Sequence, residues 1–408
     1  MSAENQVKIG IKENIIQFSL LVFINLFVGS MVGLERTVLP IIGEEQFGLA
    51  SASAALSFIV SFGFSKAIMN FFAGNIADHI GRKQVLVLGW AIGLFVPVIV
   101  IFAPNWWMIV FANVLLGINQ ALTWSMTVNM KVDLAKSTQR GLAVGLNEFA
   151  GYVGVGLMAM ISGHVAYTYA LRPEPFYLGI GIAAVGLLLS FFARDTGKHL
   201  KAQAQQAKPA PAISMKKIFV QTTWRDKNLS SATVSGLTTN LKDGMIWGLL
   251  PIFLAASQLP VDQIGVVVAI YPAAWGVFQL FTGGLSDRVG RKWMIVFGMW
   301  TQAAGIWWIL FSETYISWIM GAVILGIGTA MVYPTLQAAI SDVAKPEWRA
   351  SSLGVYRSWR DSGYAFGAII AGILADLLGV SWAIGLVGFL PLLAGISAAV
   401  RMKETLEE

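Results

Sequence analysis

Nine ionisable side chains stand inside stretches that are otherwise apolar. Five are bases: Arg36, Lys66, Lys242, Arg357 and Arg360. Four are acids: Glu35, Glu148, Asp243 and Asp361. A charge at the middle of a bilayer costs about 2.5–3.5 kcal/mol on insertion scales, so such groups pair with one another, face water or hold a charged ligand. Bases facing a path call for an anion, either a protein carboxylate or a solute. Burial favours the neutral form of a carboxyl group, so an acid in such a place can load and release protons near neutral pH. Proton coupling therefore has four candidates, with Glu35 and Asp243 leading and Glu148 and Asp361 behind them. Arg357 and Asp361 are four apart on one helical face and could pair, which would leave Arg360 over. Glu35 and Arg36 are adjacent, and successive helical side chains point about 100° apart, so they need not touch.

Uncharged polar residues extend the pattern. Asn113, Gly117, Gln120, Trp124, Thr127 and Lys131 recur at spacings of four, three, four, three and four inside an apolar run. That is the inverse of a surface helix and fits a cavity wall. Thr329, Tyr333 and Gln337 make a second set, and Asn25 and Arg36 share one face. Trp247, Tyr333 and Trp359 could stack on a solute or serve packing and interface anchoring. The substrate-binding candidates are Arg36, Lys66, Trp124, Lys242, Tyr333, Arg357 and Arg360.

Other chemistries lack residues. The only histidines, His79, His164 and His199, lie on unrelated segments. There is no P-loop, no dinucleotide glycine pattern and no HExxH. The chain contains no cysteine, which excludes thiol catalysis, disulfides and thiolate metal sites. No cofactor, metal site or enzymatic activity is expected.

The elements that position these residues read as membrane helices. Of 408 residues, 56% are hydrophobic and 12% charged, against about 25% charged in soluble chains. Apolar runs of about 20 residues span a bilayer. Twelve occur, near 15–43, 52–76, 84–103, 106–132, 141–167, 175–193, 230–255, 262–285, 293–311, 315–341, 350–375 and 380–400. The first follows a polar leader with no small-residue cleavage site and reads as retained. An even number puts both termini on one side. That side carries 22 of the 28 Lys and Arg, and the opposite side carries only Arg172. The positive-inside rule then places both termini in the cytoplasm. The basic balance is a topology signal and needs no nucleic-acid partner.

A charged, Gln/Ala/Pro-rich stretch, 195–217, separates six spans from six and has linker composition. The halves repeat. GNIADHIGRK at 74–83 matches GGLSDRVGRK at 283–292, an offset of 209. The same offset carries Gly117 onto Gly326, Ala121 onto Ala330, Asp133 onto Asp342, Arg140 onto Arg349, Gly145 onto Gly354 and Gly154 onto Gly363. It also places Glu148 and Arg357 at equivalent depths with opposite charge. Repeats of this kind mark transporters, with the site near the midplane at the repeat interface.

The doubled G-x-x-x-D-x-x-G-R-K loop between second and third spans of each half resembles the signature loop of the major facilitator superfamily, and the resemblance covers essentially the whole chain. It implies an all-α membrane protein of twelve transmembrane helices in two pseudo-symmetric six-helix bundles. The bundles would be 1–194 and 230–408, joined by a cytoplasmic linker at 195–229. It also implies a gating set of Gly74, Asp78, Arg82, Asp133 and Arg140, with Asp287, Arg291, Asp342 and Arg349 as repeat partners. In that set Asp78 and Arg82 would latch to Asp133 and to the start of the eleventh span near Gly354. The expected function is alternating-access transport of a small polar or anionic solute across the cytoplasmic (inner) membrane, coupled to protons, by a monomer. GLERTVLP resembles the acidic first-span motif of proton-coupled exporters, so a drug or metabolite efflux antiporter is the alternative. A non-transporting membrane receptor is the minor one.

Overall fold

The computed structural model describes residues 8–136, 139–204, 214–345 and 348–406. The middle of the predicted linker, 205–213, lies outside them. The first half comprises α1 (Ile15–Glu45), α2 (Ala52–Ala55), α3 (Ser57–Ile80), α4 (Arg82–Gly93), α5 (Phe95–Phe102), α6 (Trp106–Leu134), α7 (Arg140–Thr168) and α8 (Glu174–Phe192). Two short helices follow, α9 (Gly197–Ala204) and α10 (Met215–Val220), with a π-helical turn at Gln221–Arg225. The second half comprises α11 (Lys227–Ala256), α12 (Val261–Val289), α13 (Arg291–Leu310), α14 (Tyr315–Val343), α15 (Arg349–Leu378) and α16 (Val380–Arg401).

The predicted third span is the pair α4 and α5, interrupted at Leu94. Pro97 explains the break: it has no N–H to donate, and its ring crowds the carbonyl four residues back. The repeated loops also have a backbone reason. Gly81 and Gly290 take φ of 93° and 95°, values that side-chain-bearing residues rarely adopt. Each ends one helix and opens the next within a single residue.

Among the described residues, eleven helical stretches, counting α4 and α5 as one, are long and apolar enough to cross a membrane. The twelfth helix of the fold, α11, is 30 residues long but carries Ser230, Ser231, Thr233, Ser235, Thr238, Thr239, Asn240, Lys242 and Asp243, all buried. Its polar groups face other helices and not lipid, so hydropathy alone undersells it. The twelve-helix, two-bundle architecture agrees with the sequence reading.

Small residues set the packing, as is usual where helices associate without a hydrophobic driving force. In the first half α1 lies against α7 so closely that a Cβ on Gly29 would fall 1.8 Å from the Gly151 carbonyl oxygen. In the second half Gly367 of α15 approaches the Leu241 carbonyl of α11 in the same way, at 1.9 Å. The two halves meet along α7–α12 and α3–α15.

Candidate functional site

A cavity of about 490 Å³ lies between the halves. Its wall takes residues from α3, α6, α7, α10, α14 and α15, so neither half forms it alone. The size suits a metabolite, since ligand pockets run to about 300–1,000 Å³.

Three of the five predicted bases line it: Lys66, Arg357 and Arg360. Glu148 and Asp361 line it as well, as do Trp124 and Tyr333. The expected Arg357–Asp361 pair is not what the structure contains. Asp361 Oδ1 instead accepts from its neighbour Arg360, Nε at 2.8 Å and the terminal nitrogen at 2.7 Å. The long arginine side chain folds back along the helix and overrides the four-residue spacing. Asp361 Oδ2 accepts from Asn70 of α3 at 2.7 Å, across the seam between halves. Among the described residues, Arg357 donates only to the Gln337 amide oxygen, at 3.3 Å. Lys66 has no hydrogen bond or ion pair among the described residues. Its ammonium lies 5.3–5.6 Å from the ring centres of Tyr364, Phe62 and Trp124. Glu148 accepts from Trp124 Nε1 at 2.8 Å and Asn147 Nδ2 at 3.2 Å, and no base bonds it. Three bases against two acids leave this wall with one excess positive charge.

The remaining predicted charges stand outside the cavity wall. Lys242, Asp243 and Tyr271 form a fully buried triad in which Lys242 and the Tyr271 hydroxyl both donate to Asp243 Oδ1. Arg36 is fully buried, and none of its three guanidinium nitrogens has a hydrogen-bond partner among the described residues. It sits 4.4 Å from the Trp247 ring and 4.8 Å from Phe62. Glu35 is buried beside it with one oxygen unpartnered.

The polar stripe on α6 requires a correction: Gln120, Thr127 and Lys131 face α1, Gly117 packs against α3, and only Trp124 of it lines the cavity. Gln120 donates to the Val28 carbonyl at 2.8 Å, Thr127 to Asn25 at 2.9 Å and Lys131 to the Leu21 carbonyl at 3.1 Å. Periodicity identifies a shared face, and a face turned to a neighbour's carbonyls reads like one turned to water. Trp247 and Trp359 are not in the cavity wall either. Trp247 stacks on Tyr364 with ring centres 4.7 Å apart, and Trp359 donates to Thr223 at 3.1 Å. Sequence reasoning missed Asn70, Ser125, Asn129 and Tyr152, all in the wall. Their signal was weak, being single amides, a hydroxyl and one more tyrosine. It also missed Met215 and Phe219 of the linker helix, which sit at the mouth.

The cavity opens toward the end where α1 begins and α16 ends. There a Cβ on Gly74, Gly145, Gly284 or Gly354 would meet no atom within 4 Å. At the far end the halves touch. A Cβ on Gly372 would come 2.8 Å from Ser53 Cα, and one on Gly163 would come 2.9 Å from the Val261 carbonyl. Asp376 of α15 fastens that end. It accepts from Ser51 Oγ at 2.8 Å, from the backbone N–H groups of Ala52 at 2.6 Å and Ser53 at 3.2 Å, and from Ser53 Oγ.

The repeated loops are anchored within each half. Arg82 pairs with Asp133, which also accepts from Thr196 at 2.6 Å. Arg291 pairs with Asp342 at 3.1 Å and Asp287 at 2.6 Å. Asp78 is exposed at the end of α3, Arg140 and Arg349 open α7 and α15, and Arg349 bonds the Ala344 carbonyl at 3.2 Å. The part of the latch expected to reach Gly354 is not engaged in this conformation, because that end is open.

Two repeated six-helix bundles enclosing a cavity lined by charged side chains and open at one end define a membrane carrier. The sequence profile of the Major Facilitator Superfamily matches residues 18–241 and again 232–407, and the chain belongs to that family. Among curated relatives, it is 25% identical over 385 residues to the multidrug resistance protein MdtG of Escherichia coli, covering 91% of this chain and 90% of that one. It is 24% identical over 331 residues to a Cupriavidus pinatubonensis protein named as a probable 4-methylmuconolactone transporter, covering 78% and 74%. Among solved structures, the nucleoside transporter NupG superposes with a TM-score of 0.77 at 13% identity, over 95% of this chain and 100% of that one. A bacterial homologue of the lysosomal transporter Spinster, captured inward-facing, gives a TM-score of 0.72 at 12% identity, over 95% and 98%. The likeness to these two is one of fold.

Proposed function

We propose that this transporter carries a small organic anion across the cytoplasmic membrane by alternating access, coupled to protons. The observation that carries the reading is the pair Lys66 and Arg357, which line the cavity with no carboxylate bonded to either among the described residues, while Arg360 pairs with Asp361. Trp124, Tyr152 and Tyr333 stand beside them and offer ring faces to an unsaturated or cyclic solute. With both termini in the cytoplasm, as the basic residues argue, the described state is inward-facing. Glu148 is the acid we assign to proton coupling, since it reaches the cavity and no base is bonded to it among the described residues. Asp243 and Asp361 are each held by a base.

The test is uptake of radiolabelled benzoate, with other carboxylates as competitors, into proteoliposomes under a proton gradient. Saturable, competed uptake is expected, and Lys66→Gln should weaken apparent affinity about tenfold, the equivalent of one charge-assisted hydrogen bond. Carboxylates that neither move nor compete would refute the anion reading.

A second reading, proton-driven efflux of drugs or metabolites, is favoured by the sealed and half-unpartnered Glu35. The names of the relatives point both ways, one toward a lactone and one toward drug resistance. Ethidium extrusion lost in Glu35→Gln, with no carboxylate transport in wild type, would select it.

A further inference from the structure

Arg36 is the least explained charge in the molecule. Its guanidinium is wholly buried and none of its nitrogens is hydrogen-bonded among the described residues. Glu35 and Asp243 are its charged neighbours, yet neither bonds it. What covers it is aromatic. Phe58 at 5.9 Å and Phe62 at 4.8 Å come from α3, in its own half. Trp247 at 4.4 Å comes from α11, in the other half.

The cover continues. Trp247 stacks on Tyr364 of α15, the planes 16° from parallel. Tyr364 in turn lies 5.3 Å from the Lys66 ammonium. Lys66 and Arg36 both belong to the first half, and both flank the Phe62 ring. Phe62, of their own half, thus lies against both cations, and the stacked pair, which belongs entirely to the second half, adds Trp247 over Arg36 and Tyr364 over Lys66. Alternating access moves one half against the other around the site. When the far end opens, Trp247 and Tyr364 travel with the second half, and the first half keeps both cations.

We propose that Arg36 is the anion-capture residue of the outward-facing state, sealed in the inward-facing state by the stacked pair Trp247 and Tyr364. In this arrangement a solute carboxylate arriving from the far side meets Arg36 with Lys66 beside it. As the far end closes, the aromatic pair displaces it from Arg36 and leaves it with Lys66 and Arg357. The cation–π contact replaces the lost anion, so the guanidinium is never buried bare. The part of this that concerns the cargo rests on the organic-anion reading above, and the accessibility of Arg36 does not.

The chain has no cysteine, so a single introduced one reports alone. In right-side-out membrane vesicles, Arg36→Cys should react with a membrane-impermeant maleimide added outside. The reaction should be suppressed when Gly354→Trp is added to block closure of the opposite end. No labelling in either Arg36→Cys or Arg36→Cys with Trp247→Ala overturns the proposal, and so does labelling indifferent to Gly354→Trp. The second arm measures benzoate KM from each face, using right-side-out and inside-out vesicles. Arg36→Gln should raise KM about tenfold or more at the outer face, leaving the inner face within about twofold, and Arg36→Lys should recover most of the loss. An equal rise at both faces, or none, overturns it. If wild-type vesicles move no benzoate in either orientation, the cargo reading falls, and the labelling arm still decides the accessibility of Arg36.

Discussion

Asp361→Asn isolates the one complete ion pair in the cavity wall among the described residues. Asp361 is 1% exposed and takes two guanidinium nitrogens of Arg360 on one oxygen and Asn70 on the other. Removing one partner of a buried pair costs about 3–5 kcal/mol, because the other charge is left uncompensated. Two features soften that here. The Arg360 guanidinium also lies 4.8 Å from the Tyr333 ring, and 11% of its side chain remains exposed. A loss of about 2–3 kcal/mol is therefore expected for Asp361→Asn. Arg360→Gln strands a carboxylate that no ring can stabilise and should cost about 3–5 kcal/mol. The double variant buries an amide pair that can hydrogen-bond, and should lie within about 1 kcal/mol of wild type. Unfolding of the three variants in detergent gives the coupling directly. If the double variant equals the sum of the singles within about 0.5 kcal/mol, the pair is not a unit and the reasoning fails. Transport supplies a second check, because the double variant restores the cavity's single excess positive charge and should regain anion affinity that Arg360→Gln loses.

Gly354→Trp fills space that is empty in this conformation and obstructs its closure; a folded protein that binds benzoate yet does not transport it is expected, and full transport would contradict the inward-facing assignment. Thr127→Val removes a buried bond between α6 and α1 and should lower stability by about 1–3 kcal/mol with substrate preference unchanged; altered preference in competition assays would return that stripe to the cavity. Glu404, beyond the last span, receives the N–H groups of Arg291, Lys292, Thr405 and Leu406. Partial burial pushes its carboxyl up, but those four bonds outweigh it and hold it below the ordinary value of 4.5. An acid depressed on folding contributes stability above its unfolded pKa and loses it as pH falls through the folded one. The stability gap between wild type and Glu404→Gln should thus be full near neutrality and shrink below about pH 4.5; a pH-independent gap would rule the linkage out.

The fold was legible because its signals are global. Lysines and arginines segregate by side, and one offset of 209 aligns both halves from Gly74 to Gly363. The cavity was legible only in part. Lys66, Glu148, Arg357, Arg360 and Asp361 announce themselves as charges in apolar helices, and all five line it. Arg36, Lys242 and Asp243 carry the same signal but stand apart from it, since sequence shows that a buried charge needs company and not which company it has. Arg360 beat Arg357 to Asp361 through side-chain reach, which spacing rules ignore. Asn70 bridges Ser125 and Asp361 as an ordinary amide, and only the meeting of three helices gives it meaning.

The clasp at Asp376 says how a sealed protein can still open. Its partners Ser51, Ala52 and Ser53 lie where water reaches, so each bond broken there is exchanged for one to solvent, with little net change. The bonds that tie α6 to α1 are buried, and breaking them would leave groups with no such replacement. Solvent access thus sorts the molecule's polar contacts into permanent and reversible ones. On the alternating-access proposal, each half moves as a body, and the joint between them at the far end is the part whose bonds water can replace. The line of fracture is drawn by wetness and not by the number of bonds that cross it.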